Sequence, residues 1–327
     1  FSEWILAINA AKAQLTEQAY VDSINAGFQE AQRFGTTTIV NLTGVPKLIS
    51  SIKERIRTWW FGELIDVRNP EHAERIADEA FELLQSERHW GLGPHAPFTA
   101  SQRLYARCEE IARRENVLLT THLAESRDEM EMFRDAKGAA FDFLQSIARP
   151  MEDCGRDTPL SLFIRARTID RRWIVAHLNE LDPGDFELLG ASPKFHIAHC
   201  PRSHTFFGHA PFALERLRRL GFNICLGTDS LASNAGLSLF AEMRELLRKE
   251  PALSPREVLA MATVNGAQAI GQRDFLGTIQ RGACADLICV PDTHSAADVF
   301  ERIVEFAETV PWIMVNGAIV STAESVA

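Results

Sequence analysis

The chain has 327 residues, 46% hydrophobic and 24% charged, enough for a large buried core and compatible with two domains or with one α/β barrel plus an appendage. A formal net charge of -10, a pI near 5.5 and the absence of any long Lys/Arg run exclude a nucleic-acid footprint. No apolar stretch reaches the roughly 18 residues that span a bilayer, and no basic segment followed by an apolar run opens the sequence, so neither membrane insertion nor secretion is expected.

Apolar residues three or four apart alternate with short β-branched runs, the pattern of parallel strands joined by crossover helices. Residues 37–42, 58–63, 90–93, 117–121, 173–176, 194–198 and 223–227 read as strands. Residues 16–34, 70–85, 101–115, 212–220, 237–249 and 255–270 read as helices. Seven βα units ask for an eighth, so the expected fold is a (β/α)8 barrel over residues 1–276 that lacks its first strand. After Leu276 the character changes to short strands at 276–279, 285–288, 312–315 and 318–321, with a hairpin at Val315-Asn316-Gly317-Ala318; residues 277–327 are expected to form part of a small β domain. Residues 151–159 read as a long irregular loop over the barrel mouth. The six cysteines include no C-x-x-C pair, which points to a reducing cytoplasm. Trp4, Trp59, Trp60, Phe206 and Phe207 read as core or subunit interface rather than a base-stacking platform.

In such a barrel the reactive groups come from the carboxyl ends of strands, and three strands run into a potential metal ligand: His122, His177 and Asp229. Any one of them alone fits a hydrogen-bonded loop residue or an N-cap; together, at one depth, neutral imidazoles and a carboxylate suit Zn or Fe(II) with a position left for water. Glu125 lies three residues beyond His122, within reach of a substrate at the metal as a proton shuttle, although an acid opening a helix is the ordinary reading of such a residue. His95 projects from a rigid turn in Gly93-Pro94-His95-Ala96-Pro97, and His199, Arg202 and His204 crowd the segment after 194–198.

These residues carry a resemblance. Gly-Thr-Thr-Thr at 35–38, Gly-Pro-His-Ala-Pro at 93–97, His-Leu-Ala-Glu at 122–125, His177, His-Cys-Pro at 199–201, Leu-Gly-Thr-Asp-Ser at 226–230 and Gly-x-x-Ala-Asp-Leu at 282–287 resemble the amidohydrolase superfamily nearly end to end. The resemblance is to the branch of aminohydrolases and chlorohydrolases acting on purine, pyrimidine, triazine and nucleoside-like rings. It implies that His122, His177 and Asp229 are metal ligands, that Glu125 protonates a ring nitrogen, and that His95 contacts substrate. It also implies one divalent ion, Zn ahead of Fe(II), a homodimer, and a tail that is half of a β-sandwich. Two departures stand out. The family's His-x-His pair occurs nowhere in these 327 residues, so the native protein is expected to continue N-terminally by roughly 50 to 70 residues, one βα unit and a few sandwich strands. His204 stands where relatives acting on purine-like rings often carry Asn.

The reaction so implied is hydrolytic deamination of a nitrogen heterocycle, with catalytic roles for Glu125, Asp229 and His177. The ion lowers the pKa of water, Asp229 orients it and accepts its proton, and His177 steadies the attacking oxygen; Glu125 protonates the ring nitrogen and ammonia leaves. His95, His199, His204 and Arg202 are the expected substrate contacts. Arg202 could clamp a carboxylate, as in aminofutalosine or S-adenosylhomocysteine, or form an ordinary surface salt bridge. Three other readings stay open: a chlorohydrolase or cyclic-amide hydrolase of the same superfamily, a non-catalytic barrel that has lost its site, and a plain oligomeric scaffold.

Overall fold

The computed structural model describes residues 2–53, 56–291 and 298–322; Phe1, at the start of the expected barrel region, lies outside the described residues. Seven strands form one parallel sheet in sequential order: β1 (Thr38–Thr43), β2 (Arg57–Leu64), β3 (Trp90–Pro94), β4 (Leu118–Leu123), β5 (Trp173–His177), β6 (His196–His199) and β7 (Asn223–Leu226). Each matches an expected strand to within two residues, and β1 and β7 are the sheet's two edges.

Alternation along the strands sorts side chains into two apolar clusters, as a pleated strand buried on both faces requires. Trp59, Phe61, Ile174 and Cys225 meet on one face of the sheet, with Val40, Leu42, Leu118 and Ala198 against them. Trp60, Leu92, Leu119, Trp173, Val175, Ile197 and Ile224 point the other way, into the main core shared with the helices. The inward cluster leaves little room: a Cβ on Gly91 would lie 2.4 Å from the Phe61 ring, so only glycine fits beside it.

Helix starts follow local chemistry. Thr16, Ser101, Ser126, Thr158 and Ser238 each accept a backbone N–H of the first turn of the helix they open, and Asp182 and Ser254 open capping boxes with Asp185 and Glu257. The stretch 255–270, expected as one helix, is two: Pro255–Ala262 and Val264–Ala269. The break is at Thr263, whose hydroxyl donates back to the Leu259 carbonyl at 2.7 Å and whose carbonyl carbon lies against Gly277 (φ 79°). A Cβ on Gly277 would come within 2.9 Å of Thr263, so the following turn packs directly onto the break.

The tail is a three-stranded antiparallel sheet in the order β10 (Ala318–Thr322), β9 (Trp312–Val315), β8 (Leu287–Ile288). The expected hairpin is present, with Asn316 and Gly317 both at positive φ, the signature of a two-residue primed turn. The strand expected at 276–279 does not form. Leu276 is drawn into the inward barrel cluster and Ile279 is left 90% exposed, so the segment turns away at Gly277. Residues 151–158 form turns before helix Pro159–Arg165, and Arg149 ties them to the loop after β3 by donating to the carbonyls of Pro97 and Phe98 at 3.0 Å while pairing with Asp153. Of the five aromatic residues, Trp59 and Trp60 are core, Trp4 and Phe207 are half-buried and stacked edge-on at 5.1 Å, and Phe206 is exposed. All six cysteines are free thiols, and among the described residues no helix is long and apolar enough to cross a membrane.

Candidate active site

The carboxyl ends of β4, β5 and β7 bring three of the predicted residues together. His122 is in the last turn of pleat of β4, His177 ends β5, and Asp229 lies just beyond β7. The backbone is left-handed at Ala124 (φ 49°), His177 (75°), Leu178 (54°) and Asp229 (56°), a conformation non-glycine residues rarely adopt. These four residues gather at the carboxyl ends of β4, β5 and β7. The amides of Leu178 and Asn179 donate to the carbonyls of Leu123 and Ala124 at 3.0 and 2.9 Å, which holds the turn after β5 against the end of β4.

One ligand atom each of Glu125, His177 and Asp229 lies within 4.8 Å of the others, and Glu125 Oε1 is 3.7 Å from His177 Nε2. The His122 ring is 5.1 Å from that of His177. Nδ1 of His122 sits 3.2 Å from the His95 carbonyl, which can only accept, so Nδ1 carries the hydrogen and Nε2 keeps its lone pair for a ligand role. Among the described residues His177 Nε2 is buried with no hydrogen-bond partner. A buried, unsatisfied imidazole nitrogen beside a carboxylate and a second oriented imidazole is what a divalent cation with nitrogen and oxygen ligands requires, and the group fits one.

The electrostatics split the two carboxyls. Burial would push Asp229 up, but the imidazoles of His177 and His122 and hydrogen bonds from Ser203 Oγ (2.7 Å) and the Ser230 amide (2.7 Å) hold it below the usual range; Ser233 Oγ adds another at 2.9 Å. Glu125 goes the other way: burial, then the negative charges of Asp229 and Glu129, push it well above its ordinary value. Glu129 rises to about 7 through burial, although it accepts the amides of Ala124 and Glu125 at 3.1 and 2.8 Å. Burial also lowers His177, helped by the neighbouring His122, and lowers His95 to about 4.

His95 reaches the site edge, its ring 4.9 Å from His122 and its Nδ1 2.7 Å from Thr99 Oγ1. His199 is buried and stacked at 3.9 Å on Phe212, with His204 edge-on at 5.4 Å; His204 Nδ1 meets Asn179 Oδ1 at 3.0 Å. Arg202 donates from Nη1 to the Gly236 carbonyl at 3.1 Å, so part of its guanidinium is engaged by the loop that leads into helix Leu239–Lys249. Sequence reasoning missed Ser203, Ser233, Asn179, His209 and Glu242. His209 stacks edge-on to His204 at 5.6 Å. Glu242, fully buried, accepts the Arg202 amide at 2.9 Å and Asn234 Nδ2 at 2.6 Å, and Asn234 also holds the Thr228 carbonyl next to Asp229. Glu129 was missed as well, although it had a readable signal, the Ser126-x-x-Glu129 spacing of a capping box.

A sequence profile of the family described as "Amidohydrolase family" matches residues 1–320. A protein of Pelotomaculum thermopropionicum named 5-methylthioadenosine/S-adenosylhomocysteine deaminase is 33% identical over 241 residues, 70% of this chain and 51% of that protein. One of the same name from Thermococcus kodakarensis is 30% identical over 313 residues, 90% of this chain and 69% of that protein. The chain thus spans about half to two thirds of the length of these relatives. The crystal structure of an adenosine deaminase from Xanthomonas campestris with bound zinc superimposes with a TM-score of 0.79 at 22% identity, over 95% of this chain and 71% of that one, which places this sheet in the same barrel fold.

Proposed function

The chain belongs to the amidohydrolase family, a family of mononuclear metal-dependent enzymes, and from that premise we infer that its barrel mouth carries out hydrolytic deamination of an adenosine-like heterocycle with release of ammonia. The observation that carries this reading is the convergence of Glu125, His177 and Asp229, one ligand atom of each within 4.8 Å of the others, where the surroundings shift the two buried carboxyls in opposite directions, Glu125 upward and Asp229 downward. Pairs of groups pushed apart in this way mark the acid and the base of a site.

His122, His177 and Asp229 would hold the cation; the nitrogen and oxygen donors suit Zn, with Fe(II) second, and a structural neighbour carries zinc. When bound, the ion supplies Lewis acidity and brings the pKa of water toward neutrality. Asp229 takes a proton from the attacking water as its oxygen bonds to the ring carbon that bears the amine. Glu125 gives its proton to the adjacent ring nitrogen, so that water has been added across the C=N bond. Asp229 then returns its proton to the amine, the hydroxyl proton passes to Glu125, and the C–N bond breaks to leave a ring carbonyl and ammonia. His177 steadies the oxygen, and His95, at the rim, contacts the ring. His199, His204 and Arg202 are assigned to the rest of the substrate.

Placement in the cytoplasm is supported by the six free thiols, and a homodimer by the resemblance alone. Division into a barrel over 1–276 and a β-sandwich portion over 277–327 is supported by the change of sheet after β7.

The test is ammonia release by the metal-quantified enzyme from adenosine, 5-methylthioadenosine, S-adenosylhomocysteine, guanine and cytosine, with Glu125→Gln as control. Metal-dependent ammonia from an adenosine-type substrate, lost in the variant, is the expected result. Release of a ring halide or opening of a cyclic amide without ammonia would replace this reading with the corresponding hydrolase.

A further inference from the structure

A cavity of about 430 Å³ opens beside the site, between helices Ser2–Lys12 and Ala139–Ser146 and the loops that follow β2, β3 and β4. Its volume lies in the range of small-molecule pockets and is many times the roughly 30 Å³ share of one water. Ile5, Val67, Phe98, Phe143, Leu144 and Ile147 supply its apolar walls. They belong to an apolar cluster separate from the main core, in which Phe98 and Leu144 are buried but Ile5, Val67, Phe143 and Ile147 remain half-covered.

The polar groups of the inner wall are already engaged. Asp66 accepts the Ser101 amide and hydroxyl, Thr99 is bonded to His95, Ser126 caps its helix at the Glu129 amide, and Glu129 holds the amides of Ala124 and Glu125. Both ionisable groups among them are carboxyls, which offer an anionic ligand no partner, and the one cation of the lining, Arg68, is at the exposed rim. The carboxylate of an amino-acid arm pushed inside would therefore lose its hydration without gaining a partner. The wall is shared with the chemistry: Thr99 is bonded to His95, and Ser126 follows Glu125 directly.

We propose that this cavity receives an uncharged apolar arm of the substrate, so that the enzyme prefers adenosine-like heterocycles bearing an alkyl or aryl substituent larger than methyl over those bearing an amino-acid tail. The proposal rests on the deaminase reading above and narrows it to a substrate class.

The test compares kcat/KM for adenosine, its 5′-methylthio, propylthio, butylthio and benzylthio derivatives, and S-adenosylhomocysteine, in the metal-loaded enzyme and in Leu144→Trp, which fills the cavity. The quantity read is the ratio of each thioether to adenosine within one protein, which a general loss of folding or metal does not move. The ratio should rise about fourfold per added methylene, S-adenosylhomocysteine should fall below the methylthio compound, and Leu144→Trp should flatten the series. A flat series in the parent enzyme, a slope that survives in Leu144→Trp, or a preference for S-adenosylhomocysteine would overturn the proposal. Calorimetric binding of the same thioethers separates the two readings, because it needs no turnover. Affinity that climbs with arm length in the parent and not in Leu144→Trp supports the cavity even if no ammonia appears; flat affinities reject it.

Discussion

Ser203 donates its hydroxyl to Asp229 Oδ2 at 2.7 Å from the first turn of the helix that follows β6, so the segment after one strand fixes the carboxylate after the next. Because this bond favours the ionised form, Ser203→Ala should raise the Asp229 pKa. Asp229 must be ionised to act, so the acid limb of kcat/KM should move to higher pH, and metal affinity should fall about tenfold or more, as loss of an outer hydrogen bond to a ligand does. A pH profile and a competitive chelator titration check both. An unmoved acid limb would show that Ser233 and the Ser230 amide suffice.

Glu125 stands within 4.8 Å of both His177 and Asp229, close enough to be a ligand as well as a proton donor. The two roles separate in Glu125→Gln. As a donor alone, the variant should keep its bound metal and lose about 100- to 10,000-fold in kcat, since the amide cannot deliver the proton. Loss of stoichiometric metal, measured by elemental analysis, would instead make Glu125 a ligand.

How far the sequence goes is visible in these same residues. The strands were legible because parallel strands buried on both faces read as continuous apolar runs, and His122, His177 and Asp229 because each interrupts such a run at its carboxyl end. Ser203, Ser233 and Glu242 were not, because each acts across a turn of chain that only the fold closes; Glu242 meets the Arg202 amide forty positions away in sequence. Short helices such as Arg127–Asp135, Pro183–Ala191 and Pro201–Phe207 also escaped, since two turns carry too little periodicity. The split at Thr263 left the apolar spacing intact on both sides, so periodicity could not reveal it.

Ala136 ends helix Arg127–Asp135 in the left-handed conformation, φ 51°, with its amide returned to the carbonyls of Glu131 and Met132. Glycine is the usual residue at such a C-terminal cap, since an L side chain there costs about 1–2 kcal/mol. Ala136 is exposed, so Ala136→Gly removes strain and little packing. Allowing for the extra backbone freedom of glycine in the unfolded chain, stability should rise by about 0.5–1 kcal/mol, seen as an increase of a few degrees in Tm. A lower Tm would mean that the Ala136 methyl contributes packing that its exposure does not suggest.

Glu242 links stability to pH. It is fully buried in helix Leu239–Lys249, and burial raises it from an ordinary 4.5 to about 7, against the hydrogen bonds from the Arg202 amide and Asn234. Between those values the folded chain binds a proton that the unfolded chain does not. The contribution of this group is therefore complete below about pH 4.5 and is lost as pH rises through 7, on the order of 3 kcal/mol at 1.36 kcal/mol per unit. Glu242→Gln should reduce the fall in unfolding free energy between pH 5 and pH 8, measured by denaturant titration at both; Glu129, raised in the same direction, should leave a residual slope. A variant as pH-sensitive as the parent would place the titration elsewhere. Because Asn234 bridges Glu242 to the Thr228 carbonyl, the same change should loosen the turn that presents Asp229, and kcat should fall along with the pH slope.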